Sequence, residues 1–157
     1  QPTDDDGLAF VPIRRDEIYA VRLFNDSPQD AAVSLTVDGL NVFTFSEHKN
    51  YSHWIIPPGK SAVIVGWHVT NERSDSFLVT EYSKSAVAVK MPNSAKIGTI
   101  TATFAAAWPK GGAAPSDEPT SRSGDATGRG PQVATKYTEV QRSIGATRAA
   151  VSVRYTK

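Results

Sequence analysis

The stretch Val33-Ser34-Leu35-Thr36-Val37 alternates apolar and polar residues. The alternation breaks at Asp38-Gly39 and apolar residues return at Leu40, Val42 and Phe43. A period of two puts successive side chains on opposite faces of a strand, whereas a helix face needs a period of about 3.6. The same signature recurs along the chain. Tyr19, Val21 and Leu23 share a face, Ile97 to Trp108 sets Thr and Ala against Ile and Phe, and Val151, Val153 and Tyr155 alternate cleanly. Ala62 to Val69, Ser76 to Tyr82 and Ala86 to Met91 read as further strands, and Val133 to Val140 regains strand character. Pro57-Pro58-Gly59-Lys60 suits a type II turn, because proline fixes φ and glycine accepts a positive φ. Asn71 to Asp75 reads as a polar turn. A helical stripe is missing everywhere, and only Glu139 to Gly145 leaves room for a short helix.

These patterns predict an all-β fold, a two-layer antiparallel β-sandwich or jelly roll of about eight strands with one long irregular loop. The predicted core is Val21, Leu23, Val33, Leu35, Val37, Val63, Val65, Leu78, Ile100, Phe104 and Val153. The chain of 157 residues fits one domain. Residues 1–17 form a tail and arm, and residues 18–157 form the sandwich. The tail carries Asp4-Asp5-Asp6, and Pro12 makes Leu8 to Ile13 an edge strand or a free arm. A Pro/Gly/Ser-rich segment, 109–131, has almost no large apolar residue and reads as a loop. Loops of this length are uncommon in compact domains unless they carry function or are disordered.

Composition narrows the function classes. The net charge is +1, so no global field draws nucleic acid or an anionic membrane. Lys and Arg are scattered, with only Arg14-Arg15 adjacent, and no apolar run reaches membrane-spanning length. Cysteine is absent, which excludes disulfides, thiolate metal sites and a cysteine nucleophile. The chain starts at Gln1 rather than Met, and a removed signal peptide is the expectation.

Candidate chemistry is sparse. His48, His53 and His68 lack the spacing of a zinc site, and are expected to be exposed polar or turn residues. The contiguous aspartates fail the alternating ligand pattern of a calcium loop. Gly124, Gly128 and Gly130 lack the lysine and helix start of a phosphate cradle, and read as a turn. A nucleophile elbow is missing. A paired-carboxylate site would have to combine Glu47 or Glu81 with Asp38, which more simply serves its turn by bonding the backbone. Asn25-Asp26-Ser27 and Asn50-Tyr51-Ser52 match the glycosylation pattern, the first weakened by Pro28. The aromatics Tyr51, Trp54, Trp67, Tyr82 and Trp108 could form a stacking platform for a carbohydrate, but core and interface packing is the expectation.

Six motifs in order carry a family resemblance over roughly Ile18 to Tyr155. They are Tyr19-Ala20-Val21-Arg22-Leu23 with Asn25, Val37-Asp38-Gly39-Leu40-Asn41-Val42, Pro57-Pro58-Gly59 with Gly66-Trp67, Ile97-Gly98-Thr99-Ile100, Ala126-Thr127-Gly128-Arg129-Gly130, and Val151-Ser152-Val153-Arg154-Tyr155. The chain resembles a family of small exported bacterial β-sandwich domains without an assigned activity. The resemblance implies a secreted, periplasmic or cell-surface location and carries over no catalytic residue.

The sequence therefore leads us to expect a non-enzymatic structural or assembly subunit of an exported or cell-surface complex. No cofactor, metal, nucleic-acid partner or membrane insertion is expected. Protein partners are, in a homo-oligomer or a larger assembly. Contacts are expected through Leu8, Phe10, Val11 and Ile13 of the arm and through the long loop. The arm adds either to a neighbour's sheet edge or to that of its own domain. The alternative is a secreted carbohydrate- or ligand-binding module that stacks its ligand on Trp54, Trp67 or Trp108.

Overall fold

The computed structural model describes residues 3–5, 8–90, 96–118, 132–135 and 137–155. The strands are β1 (Thr3–Asp5), β2 (Leu8–Phe10), β3 (Ile18–Tyr19), β4 (Val21–Phe24), β5 (Ala31–Val37), β6 (Leu40–Asn41) and β7 (Trp54–Ile56). There follow β8 (Ser61–Ile64), β9 (Gly66–Thr70), β10 (Arg73–Leu78), β11 (Thr99–Pro109), β12 (Gln132–Ala134) and β13 (Arg142–Arg154). The protein is mostly β, 48% strand and 6% helix, in several antiparallel sheets of a sandwich-like fold. Many of the strands are two or three residues long, which is why they outnumber the eight expected.

The Asp38-Gly39 turn organises the larger sheet. Val37 pairs with Leu40, and Asp38 and Gly39 take φ of 57° and 89°. Positive φ at both central residues is the type I′ geometry that matches the twist of a hairpin. The sheet runs β1-β2-β13-β11-β5-β6, with β7 also on β5. The second layer holds β12-β10-β3 with β9 on β10, beside a β4-β8 ribbon. Leu23, Ile64, Trp67 and Phe77 from this layer meet Val33, Leu35, Val37, Ile100 and Ala102 from the large sheet in one core.

The apolar run 62–69 is not one strand. It bends at Val65 and passes from a partnership with β4 to one with β10. Strands that change partner through a bend make the corners of sandwiches. Gly66 permits this corner, because a Cβ there would overlap the Asp75 carbonyl and the Ser76 backbone.

The core departs from expectation in phase rather than place. Val63 is 43% exposed and its neighbour Ile64 is fully buried. A one-residue shift exchanges the faces of a strand, and the run Ala62-Val63-Ile64-Val65 offers no polar residue to fix the phase. Val65 and Leu78 are half-buried. Val21, Phe104 and Val153 are half-buried against the core, while Leu23, Val33, Leu35, Val37 and Ile100 lie inside it. Strand β5 is buried on both faces, so Ser34 and Thr36 are not solvated.

Three local expectations are corrected. Ala86–Lys90 is a helix, α1, not a strand, and Ser85 Oγ accepts from the Ala88 N–H at 3.3 Å as an N-cap does. Residues Glu139 to Gly145 hold no helix, and β13 starts within them at Arg142. Only Asn71-Glu72 form the polar turn, since Arg73–Asp75 belong to β10, hydrogen-bonded to β9 on one side and β12 on the other.

The arm lies on its own domain. Ala9 and Phe10 pair in parallel with Val153 and Arg154. The Val11 and Ile13 N–H groups then donate to Arg154 and Tyr155 carbonyls at 2.9 and 3.2 Å. At the other end of β13 the start of the long loop is clamped down. Glu118 Oε1 accepts from the Ala146 N–H at 2.6 Å, and Arg148 bonds both Asp117 and Glu118 at 2.8 Å. The Glu118 carboxylate occupies the space a Gly145 side chain would need. The Ala126–Gly130 motif and Gly124, Gly128 and Gly130 lie outside the described residues, as do Asp6 and Gly7.

Candidate functional site

Three segments far apart in sequence meet at one cleft. The first, Val42 to Trp54, leaves the Asp38-Gly39 hairpin and folds over β9, where the His68 N–H donates to the Val42 carbonyl at 2.9 Å and the Glu47 N–H to the Val69 carbonyl at 2.8 Å. The second is β9 and its turn. The third follows β12 along that turn, with Thr135 and Tyr137 N–H groups donating to Glu72 and Asn71 carbonyls at 2.9 and 2.8 Å.

At the centre is His68, 1% exposed, so the expectation of an exposed or turn histidine is wrong for this residue. It points into a ring of aromatics. Phe43, Tyr51, Tyr137 and Trp54 have centroids 5.2, 5.4, 5.7 and 6.0 Å from the imidazole. Phe43 and Trp54 are 4.5 Å apart, Trp54 and Tyr137 4.7 Å. His48 stacks on the outer side of Tyr51 at 4.4 Å.

The hydrogen bonds in this ring have one consistent direction. His68 Nε2 lies 2.9 Å from Asn71 Oδ1, and an amide oxygen only accepts, so Nε2 carries the proton. Nδ1 then accepts from the Ser46 hydroxyl at 2.9 Å. Ser46 Oγ accepts in turn from the His48 N–H at 3.0 Å, and Asn71 Nδ2 donates to the Tyr51 hydroxyl at 3.2 Å. Burial raises the Tyr51 pKa, the Glu139 carboxylate adds to the rise, and the bond from Asn71 opposes it. Burial holds the His68 imidazole below its ordinary pKa, and the bond to Asn71 opposes this. The neutral form is therefore the one built into the fold. Burial lowers the His53 pKa as well. Both ring nitrogens of His68 are engaged, and the bond to Asn71 positions the amide that donates to Tyr51.

The cleft has a volume of about 330 Å³, with Phe43, Trp54 and His68 as floor, Tyr51 and Tyr137 as walls, and His53, Glu139 and Arg142 at the rim. Arg142 Nε donates to Asp30 Oδ2 at 3.1 Å, which fixes the guanidinium there. Trp54 Nε1–H is buried with no hydrogen-bond partner among the described residues. Pockets of this size, apolar in floor and polar at a few points, are the usual form of a small-molecule site.

The structure does not gather the three tryptophans. Trp54 lines this cleft. Trp67 is buried against Phe45 and Phe77 on the other face of β9 and lines a separate cavity of about 380 Å³. Trp108 is half-buried on β11 opposite Ser143. Tyr82 is exposed beside the second cavity. Of the arm residues, Ile13 packs against the core, Phe10 and Val11 are half-buried, and Leu8 is placed in β2.

Among the carboxylates, Glu47 lies 3.5 Å from His48 and Glu81 3.6 Å from Lys84. Asp38 accepts from the Gly98 N–H and the Tyr155 hydroxyl, so it ties the turn to the segments before β11 and after β13. Asn25 is buried, its amide donating to Gln29 and Ile56 carbonyls at 2.8 Å, which removes it as a glycosylation acceptor. Asn50 is exposed. Among the described residues, no three His, Asp or Glu side chains converge to hold a metal ion.

Comparison with protein-family models, with curated proteins and with solved structures finds no match. The functional reading therefore rests on the geometry of the cleft.

Proposed function

We propose that this domain is a non-enzymatic binding module of an exported or cell-surface protein, and that its aromatic cleft takes a carbohydrate. The carrying observation is the convergence of Tyr51, Trp54 and Tyr137 around His68, with Glu139, Asn71 and Arg142 beside them. A sugar ring has C–H groups on its faces and hydroxyls on its edge. The faces suit the negative π-surface of aromatic rings, and the edge suits carboxylate, amide and guanidinium groups. The unpartnered Trp54 N–H supports the same reading, because buried polar groups left unsatisfied are rare in native proteins. The burial of Ser46 and His68, at 0% and 1% exposure, and the Asp30–Arg142 ion pair support binding rather than acid–base chemistry. Retention on a glycan array, lost in Tyr51→Ala with the fold intact by circular dichroism, is the expected result. Failure of the wild-type domain to retain any glycan overturns the proposal.

A second reading, an assembly subunit, is favoured by a different feature. On the β4–β8 ribbon, Arg22 faces Val63 and Phe24 faces Ser61, so Phe24 and Val63 share the outer side, at 57% and 43% exposure. Exposed apolar clusters mark contact surfaces. The arm supports this reading less, because its backbone donors are used on its own sheet. Light scattering distinguishes the two: a concentration-independent monomer argues against assembly.

A further inference from the structure

The cleft does not end at its aromatic chamber. A second cavity, of about 250 Å³, adjoins it, and Tyr51, His53, Ile55, Glu139, Val140 and Arg142 line both. The two chambers differ in chemistry. The inner one takes its floor from Phe43, Trp54 and His68. The outer one adds Asn50, Ser52, Lys110 and Gln141, whose side chains donate hydrogen bonds, and the aliphatic Ile144.

Local structure explains the placement. Lys110 follows β11 directly, in a turn closed by the Gly112 N–H on the Pro109 carbonyl at 2.8 Å. Pro109 pairs with Arg142, which brings Lys110 beside the start of β13. Gln141 Nε2 donates to Glu139 Oε2 at 3.3 Å, so a carboxylate that lines both chambers is bonded from the outer one.

We infer that the ligand is a chain of at least two linked sugar units rather than a single sugar. One unit stacks in the aromatic chamber and the next is held by hydrogen bonds from Lys110, Gln141 and Asn50. This rests on the carbohydrate reading above. A single ring in the inner chamber leaves the outer donors unused, whereas a linked second ring reaches them without a second loss of translational freedom.

The test is a glycan array holding homo-oligomer series of glucose, mannose, galactose and N-acetylglucosamine from the single sugar upward, followed by titration calorimetry on the retained series. The expected result is affinity about tenfold tighter for the two-unit ligand than for the single sugar. In a Lys110→Ala, Asn50→Ala double variant, that gain falls to about threefold or less while single-sugar binding is unchanged. Both substitutions are at exposed positions, and thermal melting checks that the fold is kept. Equal affinity for one and two units, or a length dependence that survives the double variant, overturns the chain inference and leaves the carbohydrate reading standing. Binding to nothing on the array overturns both.

Discussion

The Tyr155 hydroxyl donates to Asp38 Oδ1 at 2.6 Å, joining residues 117 positions apart. The same oxygen accepts from the Gly98 N–H at 2.7 Å. One carboxylate thus ties the β5–β6 turn to the start of β11 and the end of β13. A hydrogen bond to a buried charged group contributes more than a neutral one, and Tyr155→Phe is expected to cost about 1–3 kcal/mol, read as a lower urea midpoint at unchanged slope.

Asp38 also imposes a pH dependence. Burial raises its pKa, and the bonds from Tyr155 and Gly98 oppose the rise. The folded chain then holds this proton more tightly than the unfolded chain. The group's contribution is complete below the ordinary carboxyl pKa of about 4 and declines as pH rises through the higher folded value. Asp38→Asn keeps an oxygen acceptor, tolerates the positive φ and does not titrate. Its stability relative to wild type should rise as pH climbs above about 4. A flat difference across that range contradicts the account.

His68 acts in the opposite sense. Its imidazole is held below the ordinary value by burial, so the unfolded chain takes up a proton first as pH falls. Stability is complete above about pH 6.5 and is lost as pH drops below it toward the folded value. His68→Gln is expected to be less stable than wild type at neutral pH, since the buried Ser46 hydroxyl loses its Nδ1 acceptor. Its disadvantage should shrink as pH falls below about 6.5 in parallel denaturant titrations.

The turns were legible because they are local. Asp38-Gly39 and Pro58-Gly59 carry their conformations in two residues each, and the structure gives φ of 57° and 89° at the first and 68° at Gly59 in the second. The Val33–Val37 alternation was legible too, although burial of both faces was not, since that depends on what packs outside the strand. Val63 and Ile64 were indistinguishable because both are β-branched and apolar. Ala86-Val87-Ala88-Val89 alternates like a strand, and the Ser85 cap shows only once the backbone has turned. The cleft was the least legible part. Trp54 was singled out, but alongside Trp67 and Trp108, which the fold sends elsewhere. Tyr137 sits in the polar context Thr135-Lys136-Tyr137-Thr138-Glu139, with no local signal of its proximity to Trp54. His68 looked like an isolated polar residue because its partners, Ser46 and Asn71, lie on separate turns.

Gly66 allows a sharper test. Its missing side chain lets β9 and β10 approach at the corner where the strand changes partner. Gly66→Ala must push β10 away or open the corner, and overpacking of this kind costs about 1–3 kcal/mol or more. Gly59 also has a positive φ, but open space surrounds it, so Gly59→Ala carries only the conformational strain, about 1 kcal/mol. Thermal melting of the two variants should place Gly66→Ala well below Gly59→Ala.

The arm offers the last prediction. Ala9 and Phe10 pair with β13, Val11 and Ile13 donate to its last carbonyls, and Ile13 packs on the core. Removing residues 1–13 therefore strips hydrogen bonds from β13 and exposes part of the core beside Tyr155. Ordering each arm residue costs backbone entropy, which the partial burial of Phe10, Val11 and Ile13 and the hydrogen bonds to β13 oppose. Loss of these contacts is expected to cost on the order of 1–3 kcal/mol, which lowers the melting temperature of a domain of this size by about 2–12 °C. The truncated chain is expected to melt lower and to scatter light as the full chain does. If truncation leaves the melting temperature unchanged and instead reduces particle size, the arm serves a neighbouring copy and not its own sheet.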